Sequence, residues 1–261
     1  MGALPNGRAT APNPGAFTMS DQQLNLERIN VHSFASKNSI PGTFGLNRIA
    51  AAACLAFASV LTVHAQGPET WQVDNLKNIG GRTPAVIGSP QITTTAGRKA
   101  VVFDGTGDGL VIDTNPVAGL KAFTVEAVFR PDAEGGKEQR WLHVQGDSRD
   151  DRVLLETRLD GQNWFLDTFI KSGDSSRALF AENFKHPLGQ WYHVALVFDG
   201  QTMTHYVDGK AEMSGPLTIA PLVQGKTSLG VRMNKVYWFK GAISKVRFTD
   251  RALKVSEFMK K

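Results

Sequence analysis

The chain is almost without cysteine: of 261 residues only Cys54 carries a thiol. From residue 66 onward there is none, which excludes disulfides and a thiolate nucleophile, so stability there has to come from a packed core. No apolar run reaches the ~20 residues of a membrane span. No long amphipathic helix, glycine-rich phosphate loop, nucleophile elbow or zinc signature is present. Clustered basic charge is also missing. The whole chain carries 29 Lys and Arg against 24 Asp and Glu, net +5, with a pI near 9.3. Removing the four basic residues before Gln66 (Arg8, Arg28, Lys37, Arg48) and the two acids (Asp21, Glu27) leaves 25 against 22, or +3. That small excess is dispersed among acids. A phosphate-binding surface needs clustering, so no nucleic-acid partner is expected.

The N-terminus has its own pattern. Residues 1–45 are rich in Ala, Pro, Asn, Gly and Ser and show no periodicity. They read as a start assigned too early, with Leu46 as an alternative start, or as a disordered extension. Residues 46–65 read as a signal peptide: Arg48, the uncharged run Ile49–Val63, then Val63-His64-Ala65 as a small-residue cleavage pattern. Cys54 sits early in that run, so it is an ordinary residue of the apolar segment rather than a lipid anchor. The expected mature chain is 66–261, periplasmic or extracellular, without membrane insertion. Its nearly 200 residues suffice for one sizeable core.

That mature part is built of short apolar runs: Lys99–Phe103, Leu110–Asp113, Phe123–Arg130, Trp141–Gln145, Arg152–Leu159, Trp164–Ile170, Trp191–Phe198, Thr202–Val207, Ser228–Arg232 and Phe239–Phe248. Asp-Gly punctuates them at 104–105, 108–109, 160–161, 199–200 and 208–209, a strong hairpin signal. Gln66–Lys99 reads as an edge strand plus loops. Arg251–Lys260 offers one or two helical turns at most. Many short strands without helices predict an all-β, two-sheet antiparallel jelly-roll sandwich.

Within Gln190–Lys210 the hairpin holds His193, His205, Asp199 and Asp208. Strand alternation decides whether this is a site. A two-residue Asp199-Gly200 loop pairs Val194 with His205 and sends the histidines to opposite faces. A three-residue loop pairs Ala195 with His205 and brings them together, still without a third metal ligand, and zinc needs three or four. The aspartates are turn formers, and His193 is a hydrogen-bonded framework residue.

The order Phe103-Asp104-Gly105, Phe123–Pro131, Trp191–Ala195 with Tyr206-Val207-Asp208-Gly209, then Phe239–Ile243 and Val246-Arg247-Phe248 resembles laminin-G-like domains of the concanavalin A-like lectin/glucanase superfamily. The resemblance covers roughly Lys99–Phe258. It implies a jelly roll of about a dozen strands with a glycan on its concave sheet. It implies hydrolase or lyase chemistry in some relatives, and fold alone does not choose between these. Calcium is also implied, with Asp104 and Asp108 as donors, although Ser244 stands where relatives usually carry a further aspartate. The expectation is therefore no cofactor, or structural calcium.

Carboxylates on neighbouring strands are the other candidates. Glu156 and Arg158 alternate on one strand, and one register sets Asp167 beside them; with His143 they are the catalytic candidates. The Glu-x-Asp-x-x-Glu motif of glucanase relatives is absent. Arg140, Trp141, His143, Glu156, Arg158, Trp164, Asp167 and Trp238 form the expected glycan-contacting surface, with aromatic rings for the sugar faces and polar groups for hydroxyls. An acidic polysaccharide would suit the basic residues. The expectation is an exported carbohydrate-binding module. The alternatives are a polysaccharide-degrading enzyme on the same sheet and a non-glycan adhesion module. Convergence of Glu156, His143 and Arg158 in one groove would favour the enzyme. Exposed tryptophans without a converging carboxylate would favour binding.

Overall fold

In a computed structural model, residues 67–95 and 97–261 are described. The expected extension and signal peptide lie outside them. Sixteen strands follow in order: β1 (Glu69–Gln72), β2 (Ala85–Ile87), β3 (Gln91–Thr95), β4 (Arg98–Asp104), β5 (Gly109–Ile112), β6 (Phe123–Pro131), β7 (Glu138–Gly146), β8 (Arg152–Asp160), β9 (Asn163–Ser172), β10 (Ser175–Phe180), β11 (His186–Pro187), β12 (Tyr192–Phe198), β13 (Thr202–Val207), β14 (Lys210–Pro216), β15 (Gly225–Leu229) and β16 (Lys240–Thr249). Only one 3-10 turn, Val255–Glu257, follows them, where one or two helical turns were expected. No helix among the described residues is long and apolar enough to cross a membrane.

Two antiparallel sheets of eight strands each form the sandwich. The first runs β14-β13-β12-β6-β16-β4-β3, with β1 also on β16; the second runs β10-β9-β8-β7-β15-β5-β2, with β11 also on β9. Alternation explains the core. Phe123, Val125, Ala127 and Phe129 of β6 face inward, as do Val153 and Leu155 of β8 and Leu166 and Ile170 of β9. Aromatics bridge the layers: Phe129 stacks on Trp141 at 4.3 Å and meets Trp164 edge-on at 5.1 Å. Offset and edge-to-face pairs of this kind add to simple area burial.

The hairpin of β12 and β13 settles the histidine question. Leu196 pairs with His205 and Phe198 with Met203, a register that differs from both sequence alternatives. Asp199 makes the difference. Its Oδ1 accepts from the Gln201 and Thr202 amides, and its own amide donates to the Thr202 carbonyl, so Asp199 closes the turn from the strand end and leaves Gly200-Gln201 at the tip. The histidines face opposite ways. His205 points into the core, where Nδ1 meets the Thr168 hydroxyl of β9 at 2.9 Å, across the sandwich. His193 points outward and meets Glu126 at 3.0 Å; Glu126 also takes Arg247 and the Met259 amide. Both are framework residues. Asp199→Ala should therefore cost about 1 kcal/mol through the two lost turn bonds, read as a lowered urea midpoint with an unchanged slope.

Candidate functional site

Chemistry-bearing side chains gather on the outward face of the second sheet, over β7 to β10. Glu156 pairs directly with Asp167 across β8 and β9, and Arg140 of β7 pairs with Glu156. On a shared face such opposite residues have Cβ atoms about 5 Å apart. Arg140 Nε donates to Glu156 Oε1 at 2.9 Å. Arg158 donates to Asp167 through Nε at 2.9 Å and lies 2.7 Å from it through Nη2. It also reaches Glu138 at 2.6 Å. These cross-strand ion pairs are shielded from solvent: the Glu156 and Asp167 side chains are 4% and 6% exposed.

A bulge in β7 sets which residues join them. The register with β8 shifts between Arg140 and Leu142. An extra residue in one strand reverses the alternation beyond it. Arg140 and His143 thus share the outward face, while Trp141 and Leu142 both face the core. Trp141 and Trp164 are fully buried between the sheets. A sugar at the surface cannot reach them, which corrects their assignment to a glycan-contacting surface. Trp238 is half-buried in the loop before β16 and lines neither of the depressions on this face.

That loop completes the site. Gly230 donates to the Trp141 carbonyl, Arg140 donates to the Tyr237 carbonyl, and the Met233 amide donates to His143 Nδ1 at 2.9 Å. Lys235 and Tyr237 both hold φ near +59, a left-handed conformation that costs non-glycine residues free energy and persists only where surroundings enforce it. The constrained loop lays the Tyr237 ring over the Arg140 guanidinium, 3.7 Å from its carbon, and brings Arg232 to the sheet.

The result is a depression of about 220 Å³ lined by Arg140, Arg152, Arg158 and Arg232 with Glu156, Asp167, Leu154, Phe169 and Ala178. Four guanidiniums meet two lining carboxylates. Burial, then the neighbouring Asp167, pushes the Glu156 carboxyl up to about 7 against the pull of Arg140 and Arg158. Burial likewise raises Asp167. Burial and then repulsion from Arg140 and Arg152 lower the Arg232 value. Arg140 Nη1 and Arg152 Nε are buried donors with no partner. His143 is held neutral, its value pushed down to about 3 by burial and then by Arg232, Arg152 and Arg140. With Nδ1 accepting from Met233, its proton sits on Nε2, which is buried and has no partner. His143 therefore anchors the loop beneath the site and is not among the residues lining it. Sequence reasoning missed Arg152 and Arg232 as members; only the loop's fold places Arg232 there.

The expected calcium donors are engaged elsewhere. Asp104 Oδ1 accepts from the Thr106, Gly107 and Asp108 amides, and Oδ2 accepts from the Thr106 hydroxyl. Burial would raise its value; these hydrogen bonds outweigh that and hold it at about 2. Asp108 accepts from the Ser89 amide, and Ser244 donates to the Val128 carbonyl. Among the described residues no three acidic or histidine side chains stand together as metal ligands. Asp104 is thus tied to its own loop and Asp108 to the loop between β2 and β3, whereas a calcium ion wants six to eight oxygens.

A family model described as the concanavalin A-like lectin/glucanases superfamily matches residues 104–258, more than half of the chain. The chain belongs to that superfamily. A comparison with curated proteins finds no match. Among solved structures, this superfamily member is similar to domain 4 of an extracellular arabinanase from Geobacillus stearothermophilus in complex with arabinotriose, with 19% identity, TM-score 0.56, and 74% of this chain and 97% of that chain covered. It is similar to the binding domain of Paraclostridial mosquitocidal protein 1, with 14% identity, TM-score 0.57, and 73% and 50% covered. It is also similar to the binding domain of botulinum neurotoxin DC in complex with SialylT, with 9% identity, TM-score 0.51, and 73% and 49% covered. The chain thus spans about half of each toxin binding domain. These likenesses establish the fold.

Proposed function

We propose that the protein is an exported carbohydrate-binding module that takes an acidic poly- or oligosaccharide on the outward face of the second sheet. One observation carries this reading: a depression lined by four arginines and only two carboxylates. Guanidiniums match carboxylate and sulfate oxygens through paired N–H donors, and an anion there would balance the excess of positive charge. Two structures of the same fold, complexed with arabinotriose and SialylT, support a glycan as the ligand class. Export rests on the apolar run Ile49–Val63 and its flanks.

A second reading has its own observation. Glu156, its carboxyl pushed up to about 7 by burial and by Asp167, faces that second carboxylate across the strand pair. Glycosidases place two such groups ~5–9.5 Å apart. Against it, both carboxylates are tied to Arg140 and Arg158, and His143 is turned to the loop. Trp141 and Trp164 are buried and two carboxylates converge, so the exposed-tryptophan criterion for binding is not met; the engaged carboxylates and the surplus of arginines are what favour binding.

The test is calorimetry of the purified protein against uronate polymers, sulfated glycans and neutral glucans, each also assayed for reducing-end and unsaturated products. Acidic members should bind and neutral ones should not. Arg232→Met, which removes a guanidinium that pairs with no carboxylate among the described residues, should weaken binding at least about tenfold. Affinity should also rise as pH falls through about 7, where Glu156 takes a proton amid Arg140, Arg158, Arg152, Arg232, Asp167 and Glu138. Equal binding of acidic and neutral polymers would remove the arginine pocket from the account. Product release at a steady rate would establish the enzyme.

A further inference from the structure

Beside the arginine pocket lies a larger depression, about 580 Å³, whose lining includes Arg158, Phe165 and Phe180. Arg158 lines both, so the two adjoin along the sheet. Strand register fixes their relation. Phe165 pairs with Arg158, and Phe180 pairs with Asp167, on the same outward face as the carboxylates. Phe165 is 8% exposed and meets Phe180 edge-on at 4.8 Å, while Phe180 itself is 42% exposed. Arg158 sits 5.5 Å from the Phe180 ring centre.

An exposed phenylalanine at the end of an edge strand is costly to leave in water, and a single one is not unusual. This one is different in its support. Its ring is braced by a buried ring below and a guanidinium beside it, both in the floor of one depression. Braced aromatics lose little freedom on binding. The rim is polar, with Lys137, Glu182, Asn183 and Lys185, and Lys185 is paired to Asp160. An apolar ring surrounded by hydrogen-bonding groups matches a sugar, whose C–H face is apolar and whose edge is hydroxylated. A lipid or an apolar peptide would find only one ring and charged walls.

We infer that the Phe180 depression is a second subsite, which stacks the sugar unit next to the acidic unit held by the arginines, so that the site reads at least two consecutive residues of one chain. This rests on the glycan-binding reading above. Arg158 would then contact both units, positioning the link between them over the strand pair β8 and β9.

The experiment uses the purified protein with galacturonic acid and its oligomers of two to four units, and a matched sulfated set, by calorimetry. Affinity of the natural protein should rise steeply from monomer to dimer. Phe180→Ala should keep monomer affinity and lose about tenfold on the oligomers, while Phe180→Tyr should retain both. Because Phe180 is exposed, near-natural thermal stability of the Ala variant is expected and shows that the fold persists. An unchanged length dependence in Phe180→Ala would overturn the subsite while leaving the arginine pocket intact. Failure of the natural protein to bind any acidic sugar would overturn the glycan-binding reading and the subsite with it.

Discussion

Replacing Trp141 by Ala should destabilise the protein by about 3–5 kcal/mol, a loss that lies in the range for large-to-small changes of buried tryptophan. Trp141 has no exposed surface and stacks on Phe129 at 4.3 Å, with the two ring planes 14° apart. Phe239 packs at 6.1 Å from it and 6.2 Å from Phe129, and Trp164 closes the cluster edge-on. These rings belong to both sheets, so truncation opens a void at the layer interface rather than at an edge. Neighbours held by strand pairing on each side cannot collapse into it. Against a total of roughly 5–15 kcal/mol for a domain, that is a large share. Urea unfolding followed by tryptophan fluorescence and circular dichroism checks it. The midpoint should fall with the slope unchanged, while glycan affinity of the remaining folded protein stays near natural. Trp238→Ala, in the half-buried loop position, should cost far less. A Trp141→Ala variant of natural stability that no longer bound sugar would reverse the assignment.

The same residue shows where sequence reading succeeds and stops. Apolar runs broken by Asp-Gly located β4 to β9, β12, β13 and β16 closely, because alternation and turn chemistry are local properties. The pairing of Glu156 with Asp167 was one of the registers that local runs and a short connection allowed. Trp141 was misassigned because a bulge between Arg140 and Leu142 breaks the parity on which face assignment depends, and nothing in Arg-Trp-Leu-His signals the bulge. β10 escaped notice since Ser175-Ser176-Arg177-Ala178 is polar and small, as edge strands often are. With it went Phe180. Arg232 was illegible for another reason: it joins the site through a loop whose shape depends on His143, Trp141 and Arg140 accepting or donating backbone hydrogen bonds. Such long-range bonds are set by the assembled sheet.

Removing the guanidinium that links the two depressions should have the second large effect, and its pH dependence has a definite sign. Arg158 holds Asp167 with two nitrogens and touches Glu138, with Glu156 at 3.5 Å. Breaking a buried pair by deleting one partner costs about 3–5 kcal/mol, because the remaining charge stays buried. Arg158→Met keeps the stem and loses the charge, so Asp167 and Glu156 would face each other with Arg140 as their nearest cation. Both carboxyls are already raised by burial, Glu156 to about 7, and without Arg158 both rise further. Between their ordinary values near 4 and these raised ones, the folded protein binds more protons than the unfolded chain. Stability from these groups then falls as pH rises through that window and is recovered as pH falls. The variant should therefore lose about 3 kcal/mol at pH 8 and distinctly less at pH 5, measured by urea unfolding at both. Adding Asp167→Asn should restore much of the loss at pH 8, since it removes the stranded charge, but should not restore glycan binding. An equal loss at both pH values would show that Arg158 stabilises through packing of its stem and not through the charges it joins.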